Sequence, residues 1–234
     1  MGDRVTFPAS HGELRAYFAR PAGEGPWPGV VVIHDILGMT RDLREHTDWF
    51  AGAGFVALAP DLYSWGRKIP CLRSTFRDLR AGRGQSLEDI EAAKGWLSAR
   101  DDCTGKIGIG GFCMGGGFAL LMAPSGQFDV SAPNYGEVPD EAVDVLAGAC
   151  PIVASFGAKD RMLRGHAAKL EAALDKLGVE HDIKEYPNVG HSFMNKMPSR
   201  VVQVLAGAGG FGYDDAATRD ARARILSFFR RHLA

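Results

Sequence analysis

The sequence predicts an α/β protein, with a mostly parallel central sheet and helices on both faces. Three observations predict it. Short continuous apolar runs recur, the clearest being Gly-Val-Val-Val-Ile at residues 29–33, and a strand that is apolar at every position is one buried on both faces. Helical patterns alternate with these runs along most of the chain, the order that parallel strands and crossover helices require. The 234 residues, 46% of them hydrophobic, suffice to fill the core of a single domain spanning 1–234.

Two alternating segments, 5–7 and 14–18, flank Ala9-Ser10-His11-Gly12, so the chain is expected to open with a β-hairpin. After a Pro/Gly-rich stretch, the apolar run ending at His34 is the first core strand. Thr40 is placed to cap a helix reaching about Ala53 and closed by Gly54, and 55–59 is the next strand. Residues 61–84 are rich in Arg and hold Tyr63, Trp65 and Phe76 without a clean period. They read as an irregular excursion over the carboxyl edge of the sheet. Ser86 and Asp89 make a capping-box-like pair at the start of a helix to about Ala99. A strand at 106–109 runs into Cys113, and a helix at 114–122 follows. Strands at 128–133 and 151–156 bracket a short helix at 140–147. Helix 166–177, strand 181–186 and a last helix at 216–232, with Ile225, Leu226, Phe228 and Phe229 on its packing face, complete the alternation.

A formal charge of −1 supplies no net field for nucleic acid or an acidic membrane face. No apolar stretch approaches the roughly 18 residues of a membrane span, and the first residues lack the apolar core of a signal peptide. The four cysteines, Cys71, Cys103, Cys113 and Cys150, have neither CxxC pairing nor metal-ligand spacing. A cytoplasmic protein without a metal site is expected, and oligomeric state is left open.

Chemistry concentrates at Gly111-Phe-Cys113-Met-Gly115. A strand that turns sharply into a helix presents the residue at the turn in a strained conformation, and only glycines fit beside it. That elbow usually carries serine; cysteine implies thiolate chemistry at the same position. A thiol nucleophile needs a base, a group to orient the base, and donors for the developing oxyanion. Asp160 lies in a small-residue turn just after strand 151–156, and His191 lies in a loop just after strand 181–186, behind a glycine. Taken singly, Asp160 reads more readily as a turn or capping residue. His11, His46, His166, His181 and His232 fall in solvent-facing contexts, and position after a strand selects His191. The order Cys113, Asp160, His191 is that of nucleophile, acid and histidine in α/β-hydrolases. The backbone N–H of Met114 and one from the loop after the first core strand, Ile36, are the candidate oxyanion donors. Asp35 is a candidate acid facing the thiol. Nucleotide binding fails at the motif, because Cys113 stands where GxGxxG needs its last glycine.

With Gly-Phe-Cys113-Met-Gly-Gly, Gly-Ala-Lys-Asp160 and Gly-His191-Ser-Phe, together with the hairpin, the loop 34–38 and Pro60-Asp-Leu-Tyr63, the chain resembles the dienelactone hydrolase family over nearly its whole length. The resemblance implies an α/β-hydrolase fold, no metal or organic cofactor, and a Cys113-Asp160-His191 triad that hydrolyses a small ester or lactone through an acyl-enzyme. Two departures stand out. Lactone-cleaving members carry a glutamate where this chain has Asp35, and an arginine for the substrate carboxylate where it has Asn195. Tyr63, Arg73 and Asn195 are the candidate substrate contacts, with Arg67, Arg77 and Arg161 as further cations; segments 61–84 and 194–211 are expected to set specificity. A non-catalytic ligand binder or thiol sensor on the same fold is the alternative.

Overall fold

The structure is a computed structural model that describes residues 2–196 and 212–234. Its eight strands form one sheet in the order β1-β2-β4-β3-β5-β6-β7-β8. Strands β1 (Asp3–Ala9) and β2 (Gly12–Ala19) make the hairpin, and β2 joins β4 (Val56–Pro60) antiparallel. The rest is parallel: β3 (Trp27–Ile33) lies between β4 and β5 (Cys103–Phe112), and β6 (Val130–Asn134), β7 (Ile152–Gly157) and β8 (His181–Tyr186) extend the sheet.

The two-residue repeat of a strand sorts β3 onto two cores. Val30 and Val32 join one cluster, with residues of α1 (Arg41–Gly52), α6 (His166–Leu177) and α7 (Asp215–Leu233), whereas Val31 and Ile33 join the other, with α3 (Gln85–Ser98). On β5 the same alternation sends Ile107 and Ile109 to the second core. It turns Gly108 toward Phe229, whose ring occupies the space a Cβ would take, and Gly110 toward Phe50, whose ring would sit in ordinary contact with one.

Sequence and structure agree closely on most elements, including the Thr40 cap, whose hydroxyl accepts the Leu43 N–H at 3.2 Å. The fourth helix, α4, runs Met114–Met122, and α5 is only Ala142–Val145. Segment 61–84 requires correction: it is not irregular but contains a 14-residue helix, α2 (Lys68–Ala81), ended by Gly82 in the left-handed conformation at φ 62°. Ile69, Leu72, Phe76 and Leu79 recur at helical spacing, hidden by the arginines between them and by Pro70, which the first turn of a helix tolerates. The capping box at Ser86 also fails to form. Gly84 is the N-cap of α3, and the Ser86 N–H donates instead to Asp78 of α2 at 3.1 Å, so a carboxylate from the neighbouring helix does the capping.

Candidate functional site

Cys113 sits between β5 and α4 with φ 56° and ψ −117°, a conformation that costs about 1–3 kcal/mol and persists only when its surroundings impose it. The imposition is visible. A Cβ on Gly111 would overlap the Gly115 carbonyl, so the turn closes only with glycine there, and the Cys113 N–H is tied to the Asn134 carbonyl at 3.0 Å. Two other non-glycine residues with positive φ, Tyr135 at 40° and Ser192 at 60°, line the same cavity. Tyr135 follows β6 as Cys113 follows β5.

Asp160 and His191 reach the site from loops after β7 and β8. Gly157 lets those loops meet, since a Cβ there would lie 2.6 Å from the Val189 and Gly190 carbonyls, and the Lys159 N–H bonds Val189 O at 2.9 Å. One Asp160 carboxylate oxygen accepts the Met162 and Leu163 N–H groups at 2.9 and 3.3 Å. The other accepts the His191 Nδ1–H at 2.6 Å, which orients the ring and leaves Nε2 as its second working nitrogen. Both side chains are almost fully buried. Burial opposes charge on both, but each stabilises the other: Asp160 is held below the usual carboxylate range. For His191, burial is outweighed by hydrogen bonds to Asp160 and Cys113 and by their negative charge, and its pKa is pushed up to about 9.

A cavity of about 490 Å³ opens above Cys113, and Ile36, Met114, Asp35 and His191 lie in its wall. Met114 is the first residue of α4, where a helix leaves N–H groups without intrahelical acceptors, and the Ile36 N–H has no partner among the described residues. The Ile36 loop is braced from three sides. Asp35 accepts the Leu37 N–H at 2.7 Å, the Tyr63 hydroxyl donates to Ile36 O at 3.2 Å, and buried His34 joins the loop to the one after β4. His34 Nδ1–H donates to Asp35 O at 2.7 Å and Nε2 accepts the Leu62 N–H at 3.1 Å, a pair that only the neutral ring can make. Burial lowers the His34 pKa accordingly. Burial also raises that of Asp35.

The remaining sequence candidates fall elsewhere. Tyr63 is buried behind the loop, not in the cavity wall. Arg73 lies on the exposed side of α2 in a separate hollow with Arg77 and Arg80, and Arg67 and Arg161 are exposed outside the wall. Asn195 is buried, its amide donating to Asp42 at 2.8 Å and its oxygen accepting the Tyr135 hydroxyl at 2.5 Å. Residues 197–211, most of the second segment expected to set specificity, lie outside the described residues. His46 is not solvent-facing: it is buried, stacked on Phe112 at 4.0 Å and facing Asp42. Sequence reading missed Phe76, Leu79, Tyr135, Glu137, Met162 and Leu163 as cavity residues. The signal for Tyr135 was its place between Asn134 and Gly136 at another strand's carboxyl end; that for Phe76 and Leu79 was the helical spacing of α2.

Among the described residues no group of three His, Cys, Asp or Glu is placed to hold a metal, and no helix is long and apolar enough to cross a membrane.

Residues 14–233 match the family model of the dienelactone hydrolase family. A relative named carboxymethylenebutenolidase 1, from Cupriavidus pinatubonensis, is 28% identical over 230 residues, covering 93% of this chain and 91% of its own. Two solved structures share the fold across the whole chain: a dienelactone hydrolase-like promiscuous phosphotriesterase from metagenomic libraries, at TM-score 0.84 and 21% identity, covering 100% of this chain and 99% of its own, and a dienelactone hydrolase from Anabaena variabilis, at 0.74 and 20%, with the same coverage. With the elbow, the strand order and the loops at the sheet's carboxyl edge in place, the chain belongs to the dienelactone hydrolase family, and so to the carboxylic ester and lactone hydrolases of α/β-hydrolase fold.

Proposed function

We propose that the protein hydrolyses a small ester or lactone through a Cys113-Asp160-His191 triad and a thioester acyl-enzyme. The observation that carries this reading is the 2.6 Å hydrogen bond by which Asp160 orients His191 in the wall of the same open cavity as Cys113, a partly exposed thiol on a strained elbow. His191 takes the thiol proton, and its charge is balanced by Asp160. The Cys113 thiolate attacks the carbonyl carbon, and the negative charge that develops on oxygen is received by the N–H groups of Ile36 and Met114. Collapse of the intermediate breaks the acyl–oxygen bond, and His191 returns its proton to the departing alkoxide. A water, deprotonated by His191, then attacks the thioester and releases the carboxylic acid, restoring the thiol pair. Asp35 serves by shaping the donor loop through its bond to the Leu37 N–H.

The test is hydrolysis of aryl esters and unsaturated lactones by the wild type beside Cys113→Ala and His191→Asn. Each variant is expected to lose about three orders of magnitude or more in kcat, since members of such a unit fail together. Turnover that survives in Cys113→Ala would remove the thiol from the mechanism.

A further inference from the structure

The cavity above Cys113 is uneven in its chemistry. Ile36, Leu37, Phe76, Leu79, Met162 and Leu163 give it an apolar wall, with Tyr135 and Met114 beside Cys113. Its charged members are Asp35 and Glu137, beside the catalytic histidine. Among the described residues the wall contains no lysine or arginine. The one cation there, His191, lies 2.6 Å from the Asp160 carboxylate, so that pair presents no net charge to an incoming anion.

Among the described residues, the surroundings place no unpaired cation against the cavity wall from behind. Next to the cavity, and sharing Asp35 and Leu37 with it, is a hollow of about 390 Å³ that contains Arg41 and Lys196. Both are engaged by Glu45, at 3.0 and 3.3 Å, and Asp42 adds a further carboxylate to that wall. Asn195 is consumed by Asp42 and Tyr135. Lys68 is felt at Asp35, but it stands on the exposed first turn of α2, outside the wall. Arg73, Arg77 and Arg80 line a separate hollow along α2 and are not part of the cavity wall. Desolvating a carboxylate against an apolar wall, with two like charges and no partner, is costly, whereas an uncharged acyl chain gains from the same burial.

We propose that this site selects an ester or lactone whose acyl part is uncharged and apolar, and rejects one bearing a carboxylate, with Asp35 and Glu137 as the residues that exclude the anion. The inference rests on the triad reading only insofar as the substrate is an ester.

The experiment compares p-nitrophenyl butyrate with p-nitrophenyl hemisuccinate, which share a leaving group and chain length and differ in one carboxylate. After subtraction of each ester's enzyme-free rate at the same pH, which for the hemisuccinate includes attack by its own carboxylate, kcat/KM is expected to favour the butyrate by at least about tenfold, as like-charge juxtaposition predicts. Glu137→Arg, at an exposed position, is expected to narrow that ratio several-fold. Equal rates, or preference for the hemisuccinate, would overturn the proposal. A second comparison does not require catalysis: the labelling rates of Cys113 by N-ethylmaleimide and by 3-maleimidopropionate, followed by intact mass and normalised to glutathione. The neutral reagent is expected to be favoured by a similar factor, and a ratio equal to that of glutathione would overturn the proposal. If neither ester is turned over while the labelling ratio holds, the hydrolase reading fails and the selectivity of the cavity stands.

Discussion

At the scale of single residues, two histidines show how surroundings assign opposite charge states. His191 keeps its proton up to about pH 9 because Asp160 and Cys113 outweigh its burial. Its folded pKa lies above the ordinary 6.5, so the stabilisation linked to it is complete below pH 6.5 and is lost as pH rises through about 9. The melting temperature is expected to fall over that window, and in Cys113→Ala, which lacks one of the two partners, to begin falling at lower pH. Identical profiles for the two proteins would break the link. For an alkyl lactone, whose alkoxide needs a proton, kcat/KM is expected to fall as pH passes through about 9. His34 is the reverse case, buried neutral with both nitrogens used. His34→Ala strands the Leu62 N–H and the Asp35 carbonyl, at about 1–3 kcal/mol for each group left unpaired, and releases the Ile36 loop. A lower melting temperature together with a lower kcat checks both halves; a loss of stability alone would free the loop from dependence on His34. The meeting of Cys113, Asp160 and His191 was legible in the sequence because glycines and strand ends mark all three. His34, His46 and Tyr135 were not legible, since their partners come from elements distant in the chain.

At the scale of elements, buried carboxylates tie α3 to α2 and to the segment just before α2. Asp78 receives Ser86, and Asp89 accepts the Trp65 indole N–H at 2.7 Å. Burial pushes the Asp89 pKa up to about 6, the indole bond opposing it only in part. A carboxylate raised in this way weakens the fold as pH climbs from about 4 through 6, because the folded state resists the charge that the unfolded chain accepts freely. Asp89→Asn keeps an acceptor for Trp65 and removes the charge, so it is expected to raise the melting temperature more at pH 8 than at pH 4.5. An equal change at both values would show that the charge is irrelevant there. Helix α2 explains why this region misled sequence reading: its apolar stripe is only four residues wide, and the cations between them carry the average.

At the scale of the whole molecule, the sheet is built around small residues. Gly108 and Gly110 leave room on β5 for Phe229 of α7 and Phe50 of α1, whose rings stack at 5.8 Å. Phe229→Ala is expected to cost about 3–5 kcal/mol, seen as a lower urea midpoint, because glycines cannot fill the space left behind. The folded fraction should keep the kcat of the wild type, as no residue of the proposed triad touches that ring; a matching loss of kcat would tie the core to the site more closely than its contacts do. The sequence announced alternating strands and helices, but not that β3 pairs with β5 rather than with β2, because pairing depends on partners far apart in the chain. That arrangement matters during synthesis. β3 is complete at Ile33, yet its partner on one side is finished only at Phe112, about 80 residues later, or roughly 4–16 s at ribosomal speed. Throughout that interval a nascent chain carries Val30, Val31, Val32 and Ile33 with one edge open, which makes these few seconds, rather than the life of the finished enzyme, its time of greatest need for a chaperone.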